Sequence, residues 1–320
     1  MVERDKWGTL MLFSMHKQVL EPVAVRPRGG VAREPAAGGR ELSPEVAFGY
    51  PRDFLDNWFV YLVISPRAKG LAVGVNLNPR AHCNLECRYC EVERAHPAGE
   101  AALDVDRMVM ELRETLELAR GGWLRQWPRY ARLPAELLAV RHVALSGDGE
   151  PTLSPQFLEA VQAVVRLRAR EGHFKIVLPT NATALDRPSA QQALALLGRE
   201  DEVWAKLDGG TQAYLTRVNG VGAPLKKILR HILAVGRQRP VVIQSLFPAL
   251  DGEEPPAEEI QAYAERLKEL REAGAAIPLV QIYSANRPMA RSACGHLPLK
   301  TLSQIAQTVR RVAGLRAEVF

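Results

Sequence analysis

Cysteine and long apolar runs are both scarce in this chain of 320 residues. It has four cysteines, three of them within eight positions. A disulfide framework does not cluster an odd number of cysteines so tightly, which argues against a disulfide-stapled secreted domain. No run of 18 apolar residues is present, so no ordinary membrane-spanning helix is expected. The first residues lack a small-residue cleavage site and do not resemble a signal peptide. We therefore expect a cytoplasmic protein with no membrane partner.

Long blocks of like charge are also missing. The 42 Lys and Arg residues are interspersed with 36 Asp and Glu residues, and the net charge is +6. Apolar residues make up 47% and charged residues 24%, which is ordinary for a globular protein and excludes a largely disordered one. The charge favours anionic partners only weakly, and nucleic acid, an anionic cofactor and plain solubility all remain open.

The N-terminal part differs in composition from the rest. Residues 19–47 contain four prolines and two glycine pairs, which predicts a linker or an extended arm. Residues 54–65 are apolar and aromatic enough to be buried as a helix or a strand. We therefore predict an N-terminal extension over residues 1–70 and a catalytic domain over residues 71–320.

From residue 71 onward, short apolar runs alternate with longer segments of helical periodicity, and Ser154 is the predicted N-cap of one helix. Such alternation predicts an α/β fold with a parallel sheet, and six or seven βα units favour a full or partial barrel. The predicted strands cover 71–79, 142–146, 174–180, 202–208, 241–247, 279–284 and 316–320, and the predicted helices cover 103–120, 154–170, 188–198, 223–236, 256–273 and 300–312.

The segment NLNPRAHCNLECRYCEV places Cys83, Cys87 and Cys90 in a C-x3-C-x2-C arrangement directly after the first predicted strand of this domain. Thiolates are soft ligands that suit iron–sulfur clusters or zinc. A structural zinc site needs four ligands, so His82 or the distant Cys294 would have to complete it. Three ligands on a cluster of four irons leave one iron open to bind a cofactor or a substrate.

A second motif, ALSGDGEPTL at residues 144–153, follows the next predicted strand. Gly147 and Gly149 would let the backbone approach a ligand closely. An isolated GDGE followed by Pro151 is more typical of a tight turn. Its position one strand after the cysteine loop favours a ligand-binding loop, because the carboxyl ends of parallel strands share one edge of a sheet.

The two motifs together resemble the radical SAM superfamily. The resemblance implies a partial (β/α)6 TIM-like barrel and a 4Fe-4S cluster on the three cysteines. It further implies that S-adenosylmethionine (SAM) binds the open iron and is cleaved to a 5′-deoxyadenosyl radical. The electron would come from a one-electron reductant such as flavodoxin or ferredoxin. Tyr89 would lie near the adenine, and the SAM ammonium would contact the residues Gly147, Asp148, Gly149 and Glu150.

Polar residues also follow later predicted strands. The resemblance suggests Thr180 and Asn181 as cofactor-binding residues and Lys206 and Asp208 as catalytic residues at the SAM ribose or the substrate. A helix cap or a contact with solvent is the alternative for each pair. Further polar residues of the last strands are candidates to line the cavity, namely Gln244, Ser245, Gln281, Tyr283, Ser284, Asn286 and Arg287.

The substrate remains open at this level. The order of the motifs is similar to a branch that includes wyosine-type tRNA base synthases, although those bind a second cluster through N-terminal cysteines and this chain has none before Cys83. Residues 121–134 interleave Trp and Tyr with Arg, which suits either an RNA-contacting insertion or a loop packed by its aromatic side chains. tRNA, a protein and a small metabolite are the alternative substrates.

Cys294 is either a free thiol or, with His296, a ligand of an auxiliary group. A zinc-stabilised binding module is the alternative from another class.

Overall fold

A computed structural model of the chain describes residues 54–55, 57–92, 102–220, 224–285 and 294–320. In this part the strands are β1 Val60–Ser65, β2 Gly70–Asn76, β3 Val140–Ser146, β4 Ile176–Thr180, β5 Glu202–Lys206, β6 Val241–Leu246, β7 Ala249–Leu250, β8 Val280–Tyr283, β9 Cys294–Gly295 and β10 Ala317–Val319.

Eight of the described strands form one sheet in the order β1-β2-β3-β4-β5-β6-β8-β10. β1 pairs antiparallel with β2, and all the other pairs are parallel. The sheet curls into a half-barrel, which confirms the predicted α/β partial barrel of six βα units. The sheet begins at Val60, so it includes residues that precede the predicted domain start at residue 71.

The helices are α1 Val105–Arg120, α2 Pro128–Ala131, α3 Ala135–Leu138, α4 Phe157–Glu171, α5 Pro188–Leu196, α6 Gln212–Asn219, α7 Leu225–Gly236, α8 Ala257–Glu272 and α9 Leu299–Ala313. The predicted N-cap at Ser154 is wrong, because Ser154 ends a short 3-10 turn and α4 begins three residues later. α6 was not predicted; it is only eight residues long and begins after two glycines and Thr211. Within the described residues, no helix combines the length and apolarity needed to cross a membrane.

The two faces of the sheet bury different side chains. Ile243 and Val280 belong to the main core, which also contains the apolar residues of the helices. The opposite, concave face carries a separate small cluster of Val177, Trp204 and Val242. Because side chains alternate along a strand, Lys206 at the end of β5 lies on this concave face and is level with polar residues of the next strands, Gln244 and Gln281.

The aromatic and arginine-rich residues 121–134 connect α1 to β3, so they lie at the amino ends of the strands. Tyr130 is buried, and the Trp127 ring packs on Phe54 with 5.6 Å between the ring centroids. Trp123 is 51% exposed. The segment therefore lies at the edge opposite the cysteine loop, and most of its aromatic rings pack inward.

Candidate active site

The cysteine loop follows β2 and is held by the end of α6. The backbone N–H of Glu86 donates to the carbonyl of Asn219 at 2.9 Å, and the N–H of Arg88 donates to the carbonyl of Val218 at 2.8 Å. Gly220 has φ +75°, and a Cβ there would lie 2.6 Å from the Glu86 carbonyl oxygen. A side chain at Gly220 would therefore separate the helix end from the loop.

Two cysteine sulfurs face side-chain amides. Asn219 Nδ2 donates to Cys87 Sγ at 3.0 Å, and Asn181 Nδ2 lies 3.9 Å from Cys83 Sγ. Burial, together with the negative charge of Asp208, raises the pKa of Cys87 to about 11. A thiolate at this position therefore needs a positive charge in addition to the amide of Asn219, and a bound metal would supply it.

The donor set suits the chemistry of an iron–sulfur cluster, because three thiols lie in one loop and two of their sulfurs face side-chain amides. Among the residues that the structure describes, no three His, Cys, Asp or Glu side chains form a site for a single metal ion. Hydrogen bonds from amides to the sulfurs are typical of iron–sulfur sites. Cys83, Cys87 and Cys90 are the residues that would hold the cluster.

The GDGE segment docks directly onto the start of the cysteine loop. The N–H of Glu150 donates to the His82 carbonyl at 3.1 Å, and Asn78 Nδ2 donates to the Glu150 carbonyl at 2.5 Å. A Cβ at Gly149 would lie 1.9 Å from the His82 carbonyl oxygen, so only glycine allows this approach. Asn76 Nδ2 donates to Asp148 Oδ2 at 2.6 Å. The two motifs therefore form one continuous surface.

The Glu150 carboxylate is buried and receives only neutral donors. Thr152 Oγ1 and Thr180 Oγ1 each donate to its Oε1 at 2.6 Å, and the N–H of Asn181 donates to its Oε2 at 2.6 Å. Burial raises the pKa of Glu150, although these hydrogen bonds oppose the shift. No cation of the described residues contacts this carboxylate, so it can accept a positively charged ligand group.

A second polar cluster surrounds Asp208, beside the cysteine loop. The Tyr89 hydroxyl donates to Asp208 Oδ2, and Lys206 Nζ lies 3.1 Å from Asp208 Oδ1. Lys206 Nζ also donates to the Tyr283 hydroxyl at 2.9 Å. Burial by itself lowers the pKa of Lys206, but the charge of Asp208 and the hydroxyl of Tyr283 raise it above the ordinary value, so the amine is protonated. Burial and Asp208 raise the pKa of Tyr89, which keeps this phenol neutral.

The structure separates the predicted cavity residues of the last strands. Gln244, Gln281 and Tyr283 lie on the concave face. Ser245, another of the candidates, does not line the cavity, because it faces the helices and contacts the Tyr263 hydroxyl at 2.5 Å. Ser284 is buried between the Phe247 carbonyl and the Leu297 N–H, so it does not line the cavity either. The remaining predictions, Asn286 and Arg287, lie outside the described residues.

Three asparagines at the site were not predicted from the sequence. Asn76 is the last residue of β2 and Asn78 follows the strand; both bind the GDGE segment, and Asn219 binds Cys87. Polar side chains at the carboxyl end of a buried strand are a signal of a binding site, and Asn76 and Asn78 carry this signal. Asn219 precedes a glycine at the end of a helix, where asparagine is common for purely local reasons. Nothing local distinguishes it from an ordinary helix end.

Sequence comparisons find partial matches to curated proteins. The chain is 28% identical over 177 residues to a UPF0026 protein of Synechocystis sp., which covers 54% of this chain and 57% of that protein. It is 31% identical over 171 residues to the GTP 3′,8-cyclase of Synechococcus sp., covering 52% and 42%. It is 26% identical over 189 residues to neomycin C epimerase of Streptomyces fradiae, covering 58% and 48%. The matches span about half the length of these relatives. No protein-family model matches the chain.

The fold is similar to that of Streptococcus suis SuiB. The TM-score is 0.54 with 15% identity, and the match covers 79% of this chain and 51% of SuiB. A crystal structure of SuiB bound to S-adenosylmethionine matches with a TM-score of 0.50, covering 76% and 46%. At this identity the similarity concerns the fold. The named relatives and the shared fold together support the resemblance to the radical SAM superfamily that the cysteine and GDGE motifs carry.

Proposed function

We propose that the protein is a radical SAM enzyme that cleaves SAM reductively at a 4Fe-4S cluster held by Cys83, Cys87 and Cys90. The observation that carries the proposal is the docking of the GDGE segment on the cysteine loop. It brings the carboxylate of Glu150, which is buried and contacts no cation of the described residues, to the same edge of the sheet as the three thiols. The ammonium group of SAM is the positive charge that this carboxylate would accept.

The bound cluster would supply one electron, which breaks the S–C5′ bond of SAM and yields methionine and a 5′-deoxyadenosyl radical. The residues of this chain bind and orient the reactants. Asn181 and Asn219 donate to the cysteine sulfurs, and Tyr89 offers a neutral aromatic ring beside them. Lys206 and Asp208 form a charged pair next to this ring. We propose that this pair contacts the SAM ribose or the substrate.

Anaerobic reconstitution with iron and sulfide tests this function. The wild-type protein should become brown, contain four irons per chain and release 5′-deoxyadenosine when dithionite and SAM are added. A variant with all three cysteines changed to alanine is the matched control and should stay colourless. A colourless wild-type protein would refute the proposal, and one zinc per chain with no iron would favour the binding module instead.

We propose two alternative classes of substrate, an RNA base or a small metabolite or protein, and a tRNA-binding measurement distinguishes them. Binding of tRNA would involve phosphate contacts, so it should weaken steeply as salt is raised. A gel shift with bulk tRNA at two salt concentrations tests this, and the variant Trp123→Ala tests the exposed ring at the opposite edge. Absence of any shift would favour the metabolite or protein. We propose a cytoplasmic location with flavodoxin or ferredoxin as the electron donor.

A further inference from the structure

The turn between β1 and β2 carries a cation that reaches across the concave face. The Arg67 guanidinium carbon lies 4.3 Å from the centroid of the Tyr283 ring. β1 and β2 are at one end of the strand order and β8 is near the other, so this contact spans the opening of the half-barrel. Arg67 is half-buried, and its Nε is fully buried with no hydrogen-bond partner in the part of the chain that the structure describes.

Arg67 has no carboxylate partner among the described residues. The acidic side chains of this face are already engaged. Glu202 pairs with Lys175 and accepts from the Trp204 indole at 2.7 Å. Asp208 pairs with Lys206, and Glu318 pairs with Arg316. Among the described residues, no carboxylate therefore balances the positive charge of Arg67 on the concave face, and a partly buried cation without a counter-ion is unfavourable unless a ligand supplies one.

Further donors lie around the same ring. Lys206 Nζ is 5.0 Å from the Tyr283 centroid and donates to its hydroxyl. Gln281, two residues before Tyr283, accepts from Gln244 Nε2 at 2.9 Å, so a buried amide pair adjoins the two cations. The guanidinium of Arg67 is a planar fork that suits the two oxygens of a carboxylate or phosphate.

We propose that Arg67, with Lys206 beside it, binds an anionic group of the substrate, a carboxylate or a phosphate, within the half-barrel. The inference rests on the proposed function, because only a radical SAM enzyme would hold its substrate near the cysteine loop. The anion site then places the substrate between that loop and the turn of β1 and β2. A solvated arginine stacked on a tyrosine is the alternative, and it would bind no anion selectively.

Thermal unfolding of the reconstituted protein without SAM tests the site. The probes are inorganic phosphate and acetate, each compared with chloride at equal ionic strength. A ligand that binds only the folded state raises the unfolding temperature. We expect phosphate, acetate or both to raise it in the wild type, and Arg67→Gln to weaken the anion affinity about tenfold or more, because a charge-assisted hydrogen bond is lost. Arg166→Gln, which removes one exposed charge on α4, should respond as the wild type does.

The pattern of response identifies the anion. A rise with phosphate alone indicates a phosphorylated substrate, and a rise with acetate alone indicates a carboxylic acid. Arg67→Lys keeps the charge without the fork and should bind either anion more weakly than the wild type. It also serves as the second variant if Arg67→Gln does not fold. An equal response of the wild type and the Arg67 variants, or no response of the wild type, overturns the inference.

Release of 5′-deoxyadenosine, measured on the same samples, separates the two proposals. SAM cleavage without any anion response rejects the anion site alone. An anion response that depends on Arg67 in a protein that forms no cluster rejects the proposed function and leaves the anion site standing.

Discussion

The two edges of the sheet each bury a carboxylate, and they balance it differently. At the amino ends of the strands, Asp201 accepts from Arg168 Nη1 at 2.6 Å and from the backbone N–H groups of Ile176 and Gly198. At the carboxyl ends, Glu150 accepts only from neutral donors. The buried charge of Asp201 is neutralised within the protein, whereas that of Glu150 has no cation among the described residues.

The different partners of Asp201 and Glu150 indicate which of the two carboxylates is expected to bind a ligand. A carboxylate neutralised by its own arginine has little capacity left for a ligand, and removal of either partner destabilises the fold. A carboxylate held by hydroxyl and amide donors has a fixed orientation and keeps its net charge, so it attracts a cation. Glu150 at the carboxyl edge is thus arranged for a ligand and Asp201 at the amino edge for stability, in agreement with the general placement of sites in parallel α/β sheets.

The largest effect should come from the cysteines of the carboxyl edge. Cys87→Ala removes one of three ligands, so we expect the reconstituted protein to lose its four irons and all release of 5′-deoxyadenosine. Cys294 lies outside the loop, so the variant Cys294→Ala should retain both the four irons and the release of 5′-deoxyadenosine. Iron analysis and product chromatography measure these outcomes. Full iron content in Cys87→Ala would contradict the assigned ligand set.

At the amino edge, Asp201→Asn should lower the free energy of unfolding by about 4 kcal/mol, since it leaves Arg168 buried without its partner. Affinity for SAM should stay the same. Urea unfolding and equilibrium dialysis with labelled SAM measure the two quantities. A loss of SAM affinity without a loss of stability would break the distinction between the edges.

Acid should destabilise the amino half of the sheet through His142. Burial, with the charges of Lys175 and Arg67, lowers the pKa of His142 to about 4, against the opposing effect of Glu202. Between pH 6.5 and about 4 the unfolded chain binds a proton that the folded protein does not. The free energy of unfolding therefore decreases by up to about 3 kcal/mol as the pH is lowered through this range. His142→Gln should flatten this part of the profile, whereas His173→Gln, at an exposed position, should not. Identical profiles for wild type and His142→Gln would contradict the burial argument.

At the carboxyl edge, Glu150→Gln should weaken SAM binding about thirtyfold, or about 2 kcal/mol, because the contact with the ammonium loses its charge. The control is Glu259→Gln. Glu259 is also buried, but it accepts from the N–H of Gly210 at 2.5 Å and from Thr211 at the start of α6, so its loss should spare SAM affinity. Equal SAM affinity in wild type and Glu150→Gln would remove the main support for the ligand edge.

The smallest effect should come from Asn219. In a reconstituted protein, Asn219→Leu removes the amide that donates to Cys87 and should make the cluster harder to reduce. A tenfold change in the ratio of the two oxidation states corresponds to about 59 mV for one electron, and we expect a shift of this order. Redox titration followed by electron paramagnetic resonance measures it. Asn84→Leu, which contacts Asn181 but no sulfur, should shift the potential less.

The sequence by itself determined the α/β class, the alternation of strands and helices along the chain, and the two motifs. Strand and helix periodicity are local, and so are the spacing of Cys83, Cys87 and Cys90 and the run of GDGE. The sequence also located Glu150 at the end of the strand that follows the cysteine loop. These properties depend on neighbours within a few positions, so one sequence is enough to predict them.

Only the tertiary structure decided which distant side chains meet. Asn219 and Cys87 are 132 positions apart, and Arg67 reaches Tyr283 from the other end of the sheet. It also decided that Ser245 faces the helices while its neighbour Gln244 faces the opening. The physical reason is that such contacts depend on strand register, sheet curvature and the docking of loops, where a shift of one residue turns every side chain to the other face.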